Sequence, residues 1–362
     1  MSQAAIYLVY EGRLGSARAD STFVIENARV FSRYTDVTIV VSKRNNWTIP
    51  AEIREEFKII ELGRPFNPKR IIGSVLGQLQ FSMAVRLLLN KLPTDSTLIF
   101  HDWWPTQLIR LYSKSKRKIN ICLEVHNQIP LSLPIRLAFR HIDLFVATNH
   151  IKYVELHRHF REKVTLEPNC VRLDRYLKFR EDKYPSLNTR FTITYTGSFG
   201  IEKNPDLLIK ISEKRPDIVF RLVGKIPGSL RLHLGERQNV ELHGPVGVDI
   251  IPQIQMESTA LLVTLEPRNV TSSKYTSTMK LIEYIAAGRP IIAPNLDSIL
   301  AILNSSEFYS YVADSADSLS AAIDCLQADV LRESIRLPRA ERLEQYSWDL
   351  RNSRLLNRIS LL

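Results

Sequence analysis

The residues best equipped for chemistry lie in the C-terminal half of the chain. Residues 278–296 read TMKLIEYIAAGRPIIAPNL, a short apolar helix closed by Gly288 and followed by a strand, with the carboxylate of Glu283 inside the helix. Pro290 comes just after the glycine, where a helix has ended. A helix start near Thr278 and Met279, with Lys280 beside it, offers unpaired N–H groups and the positive end of a dipole, which suit a diphosphate. Glu283, about one and a half turns further in, can accept hydrogen bonds from the vicinal hydroxyls of a ribose. The same pattern also describes an ordinary helix–turn–strand with a solvated glutamate. Upstream, Gly197-Ser198-Phe199-Gly200 turns the chain, Lys203 follows, and Asn204-Pro205 caps and starts a helix. Glycine turn, lysine and helix N-terminus together make a diphosphate cradle.

In the N-terminal half, His101 and His126 each follow an apolar run of strand length, residues 97–100 and 119–125. Two imidazoles are thereby delivered to one sheet edge. The first apolar run, AIYLVY, leads into a loop with Gly12, Arg13 and Gly15, where Arg13 suits an anion or is simply solvated. Lys274 and Tyr275 lie in the polar loop of residues 266–277 and are candidates for donor-sugar or acceptor contact by location.

The elements that must position these groups alternate regularly. Strands are expected at residues 5–10, 37–41, 57–62, 97–100, 119–125 and 143–148, then at 191–196, 219–224, 240–243, 260–265 and 291–293. Helical patterns separate them, including residues 20–34, a basic and strongly apolar stretch at 68–92, and 335–362. This order predicts two doubly wound α/β domains with parallel sheets. Residues 174–190 are charged and lack an apolar period, so they read as a linker. The expected division is residues 1–173, the linker 174–190, a ligand domain 191–340, and a terminal helix 341–362.

At 362 residues, with 44% hydrophobic and 24% charged side chains, the composition is that of a soluble globular protein with two cores. No run reaches the length of a membrane-spanning helix, and the first residues do not read as a signal peptide. Cys122, Cys170 and Cys325 are odd in number and lack metal-binding spacing, which predicts free thiols in a reducing, cytoplasmic setting. A net charge of +11 favours anionic partners: diphosphates, an anionic membrane surface, or nucleic acid. No nucleic-acid-binding motif accompanies that charge, so nucleic acid is the least favoured. The basic stretch at 68–92 reads either as a core helix with charged ends or as an interfacial helix.

The string K-L-I-E-Y-I-A-A-G-R-P-I-I-A resembles the nucleotide-binding signature of the family 4 retaining glycosyltransferases, the group 1 type with the GT-B fold. The resemblance implies that Glu283 binds the ribose of a nucleotide-sugar donor and that Lys203 stabilises the leaving diphosphate. It also implies that His126 contacts the donor sugar and that the last helix packs back on the first domain. Tyr275 stands where the family has a second glutamate, and Ser198 lies close to where it has an arginine. The implied activity is a metal-independent, retaining transfer of the hexosyltransferase type, with no cofactor. It moves a sugar from a nucleotide diphosphate sugar to a glycan or lipid-linked acceptor, in the cytoplasm or at the inner membrane face. The alternatives are a silent relative that only binds, or a sugar-nucleotide epimerase.

Overall fold

The computed structural model describes residues 5–16, 18–44, 46–66, 71–111, 118–179, 190–276 and 279–362. The chain forms two compact units, Met1–Pro168 together with Trp348–Leu362, and Asn169–Ser347.

In the first unit the order is β1 (Ile6–Tyr10), α1 (Ala19–Phe31), β2 (Val37–Arg44), α2 (Ala51–Glu56), β3 (Lys58–Phe66) and α3 (Ile71–Leu89). It continues with β4 (Thr97–Phe100), β5 (Asn120–Val125), α4 (Leu133–Ala138), β6 (Leu144–Ala147), α5 (His150–Phe160) and β7 (Val164–Leu166). The seven strands form one parallel sheet in the order β3-β2-β1-β4-β5-β6-β7. Runs such as IYLVY and LFVA are buried at every position because helices cover both faces of the sheet.

The second unit runs α6 (Leu173–Leu177), β8 (Thr192–Thr196), α7 (Pro205–Lys214), β9 (Val219–Val223), α8 (Gly228–Leu234), β10 (Val240–His243) and α9 (Ile251–Met256). Then come β11 (Ala260–Leu262), α10 (Met279–Ala287), β12 (Ile291–Pro294), α11 (Asp297–Leu300), β13 (Tyr309–Tyr311) and α12 (Ala316–Leu331). Its parallel sheet has the order β10-β9-β8-β11-β12-β13. The last helix, α13 (Trp348–Ser360), belongs to the first unit and packs on α1, burying Trp348, Leu355 and Ile359.

Each sheet is therefore doubly wound, with strand order reversing between β1 and β4 in one unit and between β8 and β11 in the other. Ligand crevices form at the carboxyl ends of strands at such reversals. Two local expectations need correction. Asn204 does occupy the N-cap of α7, but its backbone is left-handed (φ 49°) and its side chain makes no cap bond. The Asn204 Nδ2 donates instead to Asp314 Oδ1 at 3.1 Å. Residues 335–362 are not continuously helical: Pro338 interrupts them, two short 3₁₀ turns follow, and regular helix begins only at Trp348.

Candidate active site

In the first unit, the strands flanking the reversal deliver their next residues to one sheet edge. Glu11 follows β1, and its backbone N–H donates to Asp102 Oδ2 at 3.0 Å just beyond β4. Arg44 donates to the Glu11 carbonyl at 2.6 Å. The Glu11 side chain is buried, and burial followed by the nearby Asp102 raises its carboxyl to about 7. A carboxyl poised there can exchange protons at neutral pH. Beyond it, Gly15 turns left-handed (φ +80°), and a Cβ would lie 2.4 Å from Pro50 Cδ. A Cβ on Gly12 would strike the Tyr10 ring and hydroxyl. Arg13 lies 5.9 Å over the Trp47 ring, whose Nε1 donates to the Leu14 carbonyl at 2.8 Å. The predicted glycines shape the loop, and Arg13 packs on its wall.

His101 and His126 come together as expected, with ring centroids 4.0 Å apart and 30° between planes. Between them and the helical layer sits a residue the sequence did not single out. Glu124 Oε2 lies 3.9 Å from His101 Nδ1 and 3.7 Å from His126 Nε2. Its Oε1 accepts from Arg351 Nη2 of α13 at 2.6 Å. Arg351 has no exposed surface; it also donates to Asn27 Oδ1 at 3.0 Å and Asn352 Oδ1 at 3.1 Å. Its guanidinium covers the Phe23 ring at 5.0 Å, and Phe23 meets His126 edge-on at 4.6 Å.

Burial works against the Glu124 charge, yet Arg351 and the histidines hold its carboxyl well below the usual carboxylate range. Burial and the neighbouring His101 push His126 down to about 3, so it stands as a neutral imidazole. His101 is raised; burial opposes its charge, but Glu124 and Asp102 outweigh that. The rings are tilted by 30°, the nearest ligand atoms of His101, Glu124 and His126 lie within 4.8 Å of one another, and Arg351 occupies the other carboxylate oxygen. Lys152 completes the surround, its Nζ donating to the His126 carbonyl at 2.6 Å and to Thr148 Oγ1 at 2.8 Å.

In the second unit, β8 is followed by Gly197 with φ +130°, a conformation confined almost entirely to glycine. A Cβ there would sit 3.1 Å from Lys280 Cε and 3.3 Å from its Nζ. Gly224 after β9 has φ +142°, and its Cβ would lie 2.0 Å from the Gly197 carbonyl oxygen, so the two turns pack backbone to backbone. The Lys280 ammonium lies 3.3 Å over the Tyr195 ring. Lys203 is lowered by burial, and Lys280 falls well below its usual value through burial and the charge of Lys203. Burial thus disfavours the charge on both lysines, and a nearby anion would favour it. Glu283 faces the same group: burial raises its carboxyl, while Lys280 and Gln255 draw it down. Gln255 is fixed by Tyr176, whose hydroxyl donates at 2.8 Å, and by its own Nε2 donating to Thr196 Oγ1 at 3.0 Å.

The remaining predicted residues distribute as follows. Ser198 is exposed on the turn, its carbonyl accepting from Tyr195 at 2.5 Å. Met279 is the first residue of α10, and Thr278 lies outside the described residues. Thr271–Tyr275 is a π-helical turn in which Lys274 is exposed and Tyr275 is buried. Ser272 of that turn donates to the Glu202 carbonyl at 3.1 Å, tying it to the Lys203 segment. Glu11, Glu124, Lys152 and Arg351 were not singled out by the sequence; a carboxylate directly after the first strand was the one available signal.

Residues 190–329 match the family profile described as glycosyl transferases group 1. A phosphatidyl-myo-inositol mannosyltransferase from Mycobacterium leprae is 35% identical over 78 residues, covering 21% of this chain and 21% of that protein. That alignment spans about a fifth of the relative. Among solved structures, Anabaena HepE in complex with UDP and glucose superposes with a TM-score of 0.73 at 14% identity, covering 99% of this chain and 100% of that one. A glycosyltransferase from Rickettsia africae gives a TM-score of 0.73 at 15% identity over 100% and 99% of the two chains. Sucrose-phosphate synthase from Thermosynechococcus elongatus gives 0.72 at 14% identity, with 97% of each chain covered. The chain thus has the GT-B fold, and its residues 190–329 are similar to the group 1 glycosyl transferase profile.

Proposed function

We propose that the protein is a retaining glycosyltransferase that moves a sugar from a nucleotide diphosphate sugar to a glycan or lipid-linked acceptor. The observation that carries this reading is Lys280 seated against the Gly197 turn and over the Tyr195 ring, with the charges of Lys203 and Glu283 acting on it. In this reading the diphosphate lies against the two lysines and the first amides of α10, and Glu283 accepts from the ribose hydroxyls. As the bond from the anomeric carbon to the β-phosphate oxygen breaks, the lysines meet the charge that develops, so no bound metal is required for that task. Preorganised donors at a developing oxyanion are commonly worth about 3 kcal/mol each. The acceptor oxygen bonds to the anomeric carbon on the face the phosphate leaves, and its proton passes to the departing phosphate oxygen. HepE, solved with UDP and glucose, is consistent with a nucleotide-sugar ligand in this fold. His126 and His101 are assigned to the sugar and acceptor side.

The test is a thermal-shift screen against UDP, GDP, ADP, CMP and dTDP sugars. A ligand at a hundred times its Kd stabilises by about 2.7 kcal/mol, which is readily detected. One class of donor should shift the melt, and Glu283→Ala should weaken its nucleoside part; no shift across the panel refutes the reading. A second reading, a relative that binds a sugar nucleotide without transferring it, draws on the burial of Tyr275 and on Ser198 in the turn. Donor binding without turnover on any acceptor would favour it, and release of a free sugar isomer would indicate an epimerase.

A further inference from the structure

The helix α3 is apolar on both sides, and only one side is covered. Phe81, Val85 and Leu89 are buried against the sheet. On the opposite side Leu76, Leu79, Met83 and Leu87 are 42–55% exposed. At 100° per residue these four fall within about 80° of arc, so they form one continuous stripe. The 3₁₀ segment Trp104–Leu111 packs on α3, and α4 packs on that segment. They extend the apolar surface with exposed Trp104, Leu133 and Leu137. None of the three segments, IIGSVLGQLQFSMAVRLLL, WPTQLIRL or LPIRLA, contains an acidic residue. Arg86 lies beside the stripe with Nη1 3.9 Å from Met83 Sδ, and Lys91 and Arg140 are exposed at the ends of the helical segments.

The charge of the chain is divided as unevenly as its surface. The first unit holds 27 Lys and Arg against 16 Asp and Glu, while the second holds 22 of each. The whole excess of +11 therefore resides in the unit that carries the apolar face. Among the described residues no helix is long and apolar enough to cross a membrane.

We propose that the face formed by α3, the segment Trp104–Leu111 and α4 docks on an anionic lipid surface, the apolar stripe entering the headgroup boundary while the surrounding cations meet lipid phosphate. An interfacial element of this kind combines apolar burial with electrostatic attraction. A second copy of the chain is a poorer occupant, because pairing this face with itself would bring two strongly positive units together.

The proposal is independent of the donor site, since vesicles carry no sugar nucleotide. The experiment is co-sedimentation of the full chain with phosphatidylcholine vesicles, with and without about 30 mol% phosphatidylglycerol, at low and high salt. The chain should pellet with the anionic vesicles, less so at high salt, and weakly with neutral ones. Leu79→Glu/Leu87→Glu should cut partitioning about tenfold or more without lowering the melting temperature, because both side chains are exposed. Leu79→Ala, which removes apolar area without adding charge, should give a smaller loss in the same direction. Absence of pelleting at low salt overturns the proposal, as does a double variant that pellets like the wild type. A wild-type dimer that the double variant dissociates would assign the face to a second copy and also overturn it.

Discussion

Replacing Arg351 by Met isolates what the buried ion pair does for the first unit. The guanidinium has no exposed surface and its carboxylate partner is 3% exposed, so solvent screens neither charge. Removing one member of such a pair leaves the other uncompensated, a loss of about 3–5 kcal/mol. For a domain of this size each kcal/mol moves the melting temperature by about 2–4 °C, giving a fall of roughly 6–20 °C at pH 7. The pH dependence identifies the cause. Glu124 has a lowered folded pKa, so its contribution is present above the ordinary value of 4.5 and is lost as pH falls toward the folded value. Without Arg351, only the two histidines oppose burial, so the Glu124 carboxyl rises and the variant relieves itself by taking a proton. Its deficit should therefore be largest at neutral pH and should shrink toward pH 5. Glu124→Gln/Arg351→Met removes both charges and should regain part of the loss. Urea unfolding at several pH values measures all of this. A variant melting within about 2 °C of wild type at pH 7, or a deficit unchanged with pH, would refute the reasoning.

Lys152→Met tests the neighbouring buried ammonium, which burial lowers to about 7 from 10.5. Its contribution is present above 10.5 and lost as pH falls through 7, so the variant should exceed wild type by about 1–3 kcal/mol at pH 6, an advantage that shrinks steadily as pH rises from 7 toward 10.5. Equal pH–stability curves would count against it. Lys203→Ala should lower turnover on the order of a hundredfold while leaving the melting temperature nearly unchanged. A change under threefold would remove the lysine from the leaving-group role. Gly197→Ala should weaken sugar-nucleotide binding about tenfold in calorimetry, since the new methyl strains the backbone and displaces Lys280. Unaltered affinity would show that the turn does not shape the site.

The alternation of strands and helices was legible because parallel strands buried on both faces announce themselves as short apolar runs. Residues 97–100 and 240–243 were read with the bounds the structure has. Of the edge strands, β7 is marked only at its end, by the family-like Glu167-Pro168-Asn169, and β13 is not marked at all, because three residues carry too little pattern. The π-helical turn at Thr271–Tyr275 has no sequence signature at all, being held by bonds to the Glu202 carbonyl from Ser272 and Glu266. In α3 the apolar residues were visible, but not their division into a buried side and a bare one. A helix apolar all round has no periodic signal to read.

The site was legible where chemistry is local and hidden where it is not. Lys203 and Glu283 stand out because a glycine turn and a helix start lie beside them in the chain. Arg351 reaches Glu124 across 227 positions, a pairing that nothing local in the chain marks. Net charge behaved the same way. Along the chain the basic residues look evenly spread, and only the division into units reveals that Asn169–Ser347 is neutral while the other unit carries the full +11. If the second unit cradles a diphosphate as proposed, it needs a few well-placed cations, not an excess of them. The proposed lipid docking gives the excess a partner larger than one small anion, and the excess lies in the unit whose helices leave an apolar face uncovered.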